Sequence, residues 1–339
     1  VVDNPKKRII GLNVVRVIAA IGTFLYHTYH NFDCRYGRLD YVISQSTFYM
    51  TTFFVLSGFV IYYTYYDKPF FSDSKYIFIY IKKRFMAVFP EYFLIYTVLY
   101  YIFRNNSSLK YDIVAFPFQL TLTYGFEFYG HIINWGAWFF SLIFMCYFIA
   151  PYFINMINSM DNKLILLSAF MCMLFVSCGP YLQVMIYANF FMRFYEFYIG
   201  MVLAWLYLSK KESFTRHLNE AWKMLTVIVL YIVAFVAIYF MQIIIEQKGL
   251  NHTFLSPLNI IMVSGIVYMA AKCEGKLAEA INNNYVISVL SKYSLEIYGG
   301  TFFSSYIYAT WFVGKYSGAG LVALAFFFKC DMYRVFGSV

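Results

Sequence analysis

Apolar runs long enough to cross a bilayer recur from one end of this chain to the other, and they constrain its fold more than any other feature. A hydrocarbon core of ~30 Å takes roughly 20 helical residues. Runs of about that length lie near residues 9–30, 42–65, 87–103, 134–157, 163–180, 190–208, 224–245, 254–271 and 285–310, with a shorter one at 316–329. Of the 339 residues, 62% are hydrophobic and only 13% charged, which excludes an ordinary soluble domain. The expected fold is all-α: a polytopic transmembrane helix bundle of about ten spans. With no internal repeat and no linker, residues 1–339 read as a single membrane domain. The first run is too long and too studded with polar residues for a signal-peptide core and lacks a small-residue cleavage pattern, so a retained anchor is expected. The longest loop, Arg104 to Asn134, holds VAFPFQLTLTYGF, too short to span and expected to be re-entrant or interfacial.

The net charge of +9 could suggest a nucleic-acid partner, but its distribution removes that need. With the N-terminus inside, seventeen Lys and Arg residues fall in cytoplasmic segments, among them Lys6, Lys7, Lys82, Lys83 and Lys211. Six fall outside: Arg35, Arg38, Arg104, Lys110, Lys248 and Lys315. That asymmetry follows the positive-inside rule and predicts both termini to be cytoplasmic. The expected location is the plasma membrane, crossed several times, with the lipid bilayer as first partner. Six scattered cysteines without a CxxC imply neither a disulfide framework nor a zinc site.

Three basic residues, Arg16, Arg193 and Lys292, fall within the runs themselves. Ionisable groups at membrane depth are costly, so they face a cavity, pair with another group or take part in function. In IIGLNVVRVIAAIGTFLYHTYH, Arg16 and His27 are eleven residues apart, ~1100° around the helix, so they share one face ~16 Å apart along the axis. A plain alternative is that Arg16 snorkels to the inner headgroups and His27 sits at the outer interface. The shared face favours chemistry. An imidazole suits proton transfer, and an arginine three turns below suits a phosphate-bearing ligand entering from the cytoplasm. His27 and His30 form an HxxH, but no third ligand stands at a matching offset, so no metal is expected.

Further along, TTFFVLSGFVIYY places Ser57 and Gly58 in a bulky run, as close helix packing requires. YIKKRFMAVFPEYF carries a basic cluster into a helix bearing Pro90 and Glu91. Lys82 and Lys83 there serve as inner anchors, whereas Arg84 lies close in depth to Arg16 and could clamp the same anion. Arg193 and Glu196, three apart, are adjacent on a helix and read equally as a structural ion pair or a functional one. Lys292 and Glu296, four apart, invite the same two readings.

Taken in order, the Arg-x10-His pair, FFVLSGF, KKRFMAVFPEYF, WFFSLIFMCYFIAP, RFYEFYIGM and LSKYSLEIY resemble the acyltransferase-3 family of bacterial membrane acyltransferases over nearly the whole chain. The resemblance implies O-acetyltransferase-like transfer of an acyl group, commonly acetyl, from cytoplasmic acetyl-CoA to a hydroxyl of an extracytoplasmic glycan or lipid-linked glycan. It implies Arg16 and His27 as the paired functional residues and Arg84 as the first arginine of an Arg-x-x-Arg motif. Ala87 stands where the second would be, leaving Lys83 as the substitute donor grip. Thr301 occupies a position often His or Gln in the family, after the stretch Ser294 to Tyr298, and is given no role. No added soluble domain is present in the sequence, so acceptor handling is expected in the membrane domain or a partner.

In the mechanism these readings imply, coenzyme A enters between the inner ends of the first and third spans. Arg16 and Arg84 meet its phosphates, its arm reaches toward His27, and His27 acts as general base, or as an acyl-histidine in a covalent variant. The competing reading is a transporter or flippase in which Arg16, His27, Arg193 and Glu196 form a proton or substrate pathway. Transporters usually show paired repeats with broken helices in both halves, and none is visible here.

Overall fold

The computed structural model describes residues 8–32, 34–72, 74–94, 117, 121–123, 138–178, 189–209, 219–249 and 255–300, and these are helical with short connections and no strand. In chain order the helices are α1 (Gly11–Phe32), α2 (Asp40–Ile43), α3 (Ser46–Tyr65), α4 (Ser74–Tyr92), α5 (Trp138–Ser159), α6 (Asn162–Cys178), α7 (Phe190–Ser209), α8 (Glu220–Lys248), α9 (Ser256–Ala271), α10 (Lys276–Asn282) and α11 (Tyr285–Lys292). Residues 294–300 are helical as well. Among the described residues, α3, α5 and α8 are long and apolar enough to cross a membrane, and α6 and α9 are apolar but shorter. The exposed faces of α8 and α6 carry Ile228, Ile232, Val236 and Phe240 on one and Leu167, Phe170 and Leu174 on the other, as a lipid-facing surface requires.

The centre of the bundle is the pair α3 and α7. Their backbones touch where Gly58 and Gly200 remove the side chains. A Cβ on Gly200 would overlap the Val55 carbonyl oxygen, and one on Gly58 would overlap that of Phe197. The Gly58 signal in the sequence therefore has its packing meaning, and Gly200 is its partner on α7. At the same crossing the fully buried Arg193 donates to both oxygens of Glu196, at 3.0 and 2.8 Å, and the Thr51 hydroxyl donates to Glu196 Oε1 at 2.8 Å. The ion pair closes on α3 and lies between the two helices.

The helices alternate in direction and so define two ends. One is tied together by Tyr62 donating to Asn158 (2.7 Å), by Asn13 donating to Asn282, and by the Glu220 carboxylate accepting from the Gly275 amide (2.9 Å) and from Lys223 (2.9 Å). The other end holds the Gln45–Gln242 bond (2.7 Å) and a hydrogen bond between Tyr36 and Thr28 (2.7 Å). Arg8, Lys82, Lys83, Lys163, Lys223 and Lys276 gather at the first, hereafter the basic end.

Two of the expected runs are bounded differently. The helix expected from residue 87, α4, starts at Ser74, because Lys82, Lys83 and Arg84 sit on it as an amphipathic first half rather than in a loop before it. The run at 285–310 is broken within its described part. Asn284 caps α11 by accepting from Val286 and Ile287, and at Tyr293 the backbone leaves the helical region before residues 294–300 resume it. In the loop expected to be re-entrant, Leu122 is fully buried and its carbonyl accepts the Ser141 hydroxyl at 2.6 Å, so the chain enters the helix layer there.

Candidate active site

Two polar stripes face a common lining. On α1, an unbroken helix of 22 residues, Arg16 and His27 are both half-buried and share a face. On α4, Arg84 and Glu91 are seven residues apart, two turns less ~20°, so they also share a face, ~10 Å apart along the axis. Both helices leave the basic end, and each begins its stripe with an arginine.

The hydroxyl of Tyr147 on α5 lies within electrostatic reach of both guanidinium groups. Arg84 donates to the Tyr65 hydroxyl at 3.0 Å and packs over the rings of Tyr65, Tyr147 and Tyr80, at 5.5, 5.8 and 6.0 Å to their centroids. These faces attract a cation without neutralising it. No carboxylate among the described residues pairs with Arg84 or with Arg16, and the buried Arg84 Nε has no acceptor. Arg8, exposed and held by Asn13 at 3.0 Å, adds a third positive charge within reach of Arg16. Uncompensated buried cations are costly. Such an arrangement can accommodate an anion.

Higher along the stripes, His27 stands edge-on to the ring of Tyr298 at 6.4 Å, and Tyr298 packs on Phe139 at 4.6 Å and Phe140 at 5.8 Å. The next residue, Gly299, abuts Glu91. A side chain at 299 would run into Glu91 Oε1 and come within 3.1 Å of Phe140 Cζ, so bare backbone there makes room for the carboxyl. His27 and Glu91 thus approach the short stretch 298–299, one from α1 and the other from α4.

The other candidates fall elsewhere. Lys83 is exposed, about 100° around α4 from Arg84, and Ala87 is exposed too. His30 is exposed and stacks on Tyr26 at 5.7 Å. Lys292 and Glu296 are both exposed and within electrostatic reach of each other. Thr301 lies outside the described residues. At the basic end, burial pushes the Cys273 thiol up to about 11, so it stays protonated near neutral pH and makes a poor nucleophile.

Sequence reasoning noted Tyr147, together with Trp138 and Ser141, and Glu91, but gave them no role, and it gave none to Tyr298. For Glu91 a signal existed: it follows Arg84 by seven residues, the same spacing logic that singled out Arg16 and His27. Tyr147 and Tyr298 carried no signal of a role, because a tyrosine in a membrane run reads first as interfacial.

A bundle of apolar helices enclosing lengthwise polar stripes, with arginines that have no carboxylate partner among the described residues toward one end and an imidazole farther up, defines an integral membrane protein with an internal polar site. Its family follows from comparison with known sequences: the acyltransferase-3 model, described as an acyltransferase domain, matches residues 9–328. The chain belongs to that family and is a membrane acyltransferase, transferring groups other than aminoacyl groups. No curated protein and no solved structure matches the chain.

Proposed function

We propose that the protein moves an acyl group, acetyl in the simplest case, from a coenzyme A thioester on the cytoplasmic side to a hydroxyl of an extracytoplasmic glycan. The observation that carries this reading is the pair of partly buried arginines, Arg16 and Arg84, which share Tyr147 and lack any anionic partner among the described residues. A polyphosphate fits such a cradle, since guanidinium groups bind phosphate oxygens in fixed geometry. The basic end is then the cytoplasmic one, by the positive-inside rule, with the N-terminus inside and about ten spans in all.

From that end the arm of the donor follows the α1 stripe. His27 lies ~16 Å from Arg16, within the span of an extended pantetheine arm. His27, as neutral imidazole, takes the proton of the acceptor hydroxyl while its oxygen attacks the thioester carbonyl. The carbon–sulfur bond breaks, and the imidazolium returns its proton to the departing thiolate. Ester and free thiol result, with no net proton change. A positioned base of this kind contributes ~10²- to 10⁴-fold in rate.

The test is acyl transfer by purified protein from labelled acetyl-CoA to an added glycan, in wild type and in His27→Gln. Gln keeps size and polarity but cannot accept a proton near neutral pH. Transfer is expected to fall at least ~10²-fold while the variant still binds coenzyme A. If His27→Gln keeps more than about a tenth of the wild-type rate, the imidazole is not the base.

A further inference from the structure

The mechanism above makes no use of Glu91, and its surroundings do not account for it. Its Oε1 is shielded from solvent and has no hydrogen-bond partner among the described residues. The Gly299 backbone and the edge of Phe140 stand against it, and the charged group within electrostatic reach is another acid, the exposed Glu296. A buried carboxyl oxygen without a donor is destabilising, and in a binding path the missing donor is one that the ligand supplies. Pro90 immediately precedes Glu91 inside α4, and the backbone widens to a π-turn at residues 93–94, an irregularity that often accompanies binding sites.

Contacts decide which donor. The ring of Tyr298 stands edge-on to His27 at 6.4 Å and packs on Phe140 at 5.8 Å. Phe140 Cζ and Glu91 Oε1 in turn flank the same point, the one where a Cβ of Gly299 would stand. Imidazole and carboxyl therefore border the same two residues, 298 and 299, one from α1 and the other from α4, and Glu91 is level with the base. Three parties meet at that level in the proposed reaction. The thioester carbonyl and sulfur carry no hydrogen to donate, and the nearest N–H of a pantetheine arm lies two methylene groups farther back than the sulfur. The imidazole is committed to the attacking hydroxyl and does not bond Glu91 Oε1. What remains is the acceptor. Its attacking hydroxyl gives its proton to His27, so the hydrogen that reaches Glu91 belongs to a second hydroxyl. On a sugar that group sits on the adjacent ring carbon, where both can be held at once. With Glu296 nearby, an anionic neighbour is repelled and a neutral O–H is the fitting partner.

We infer that Glu91 recognises the acceptor: its Oε1 accepts a hydrogen bond from the hydroxyl adjacent to the one being acylated, so that the site selects vicinal diols. The inference rests on the glycan-hydroxyl reading of the site. It also gives a reason for Gly299, since any side chain there would displace the carboxyl.

The experiment measures transfer by the purified protein from labelled acetyl-CoA to two small acceptors, trans-1,2-cyclohexanediol and trans-2-fluorocyclohexanol. Fluorine is close to a hydroxyl in size and has no proton to donate. Wild type is expected to favour the diol in kcat/KM, because a site that bonds a substrate hydroxyl discriminates against the analogue lacking it. Glu91→Leu is expected to lower the diol-to-fluoro ratio at least about tenfold, the electronic effect of fluorine being common to both proteins. Glu91→Met, similar in length and without a carboxyl, serves equally if the leucine variant does not accumulate. A ratio unchanged in these variants overturns the inference, including the case in which both acceptors slow alike, which would assign Glu91 to support of the imidazole. A wild type that acylates a glycan but not the diol also overturns it, since adjacent hydroxyls would then not be what the site reads. Transfer to no hydroxyl acceptor at all refutes the reading on which the inference rests.

Discussion

Replacing Arg193 and Glu196 together should harm the protein far less than replacing either one. Both are essentially fully buried, and their two hydrogen bonds, with the third from Thr51, join α7 to α3. Glu196→Leu strands a guanidinium in a dry interface, and Arg193→Met strands a carboxyl. Each single change is expected to cost ~3–5 kcal/mol, because it leaves an uncompensated buried charge. The double variant strands neither. It forfeits the Thr51 bond, worth ~1 kcal/mol, and the contacts of Arg193 with the rings of Phe54 (5.6 Å) and Trp138 (5.8 Å), worth about as much again. The two singles would sum to ~6–10 kcal/mol and the double to ~2, a coupling of ~4 kcal/mol or more. Against a typical total of ~5–15 kcal/mol, the singles should accumulate poorly and the double well. The assay is thermal unfolding of detergent-purified protein for all four forms, with acyl transfer measured on those that fold. A double variant as unstable as the sum of the singles would refute the pairing argument. A stable double variant without transfer would place the pair on the functional path and revive the transporter reading.

Three further outcomes are expected. Gly200→Ala puts a Cβ into the Val55 carbonyl oxygen and within 2.8 Å of its carbon and 2.9 Å of the Phe59 nitrogen, all main-chain atoms that cannot rotate aside; destabilisation of ~3 kcal/mol, the upper end for overpacking, should appear as a lowered Tm. Gly265→Ala, whose nearest neighbour is Leu230 Cδ1 at 3.9 Å, should be neutral or stabilising in the same assay. Arg84→Ala should raise the apparent KM for the thioester donor with little change in kcat, as for contacts equally strong in ground and transition states, and unchanged donor kinetics would assign Arg84 to packing against its tyrosines.

What could be read from the sequence is what depends on the local helical repeat. Apolar runs set the helical bundle because lipid leaves backbone groups no other partner than the helix itself. The common face of Arg16 and His27 is arithmetic on a straight helix, and Gly58 marks a close crossing whichever helix supplies the other side. The same arithmetic, applied to α4, already turns Lys83 away from Arg84 and aligns Glu91 with it. Tertiary structure alone decided which stripes face each other. Tyr147 comes within electrostatic reach of both Arg16 and Arg84, and Gly299 abuts Glu91 across more than half the chain, only because each helix is rotated to a particular angle. Those angles are set by packing between helices, as at Gly58 and Gly200, and no periodicity within one helix encodes them. The Arg193–Glu196 pair shows the difference most plainly. Its spacing left a structural and a functional role equally open, and the hydroxyl of Thr51, arriving from α3, is what closes the pair between two helices.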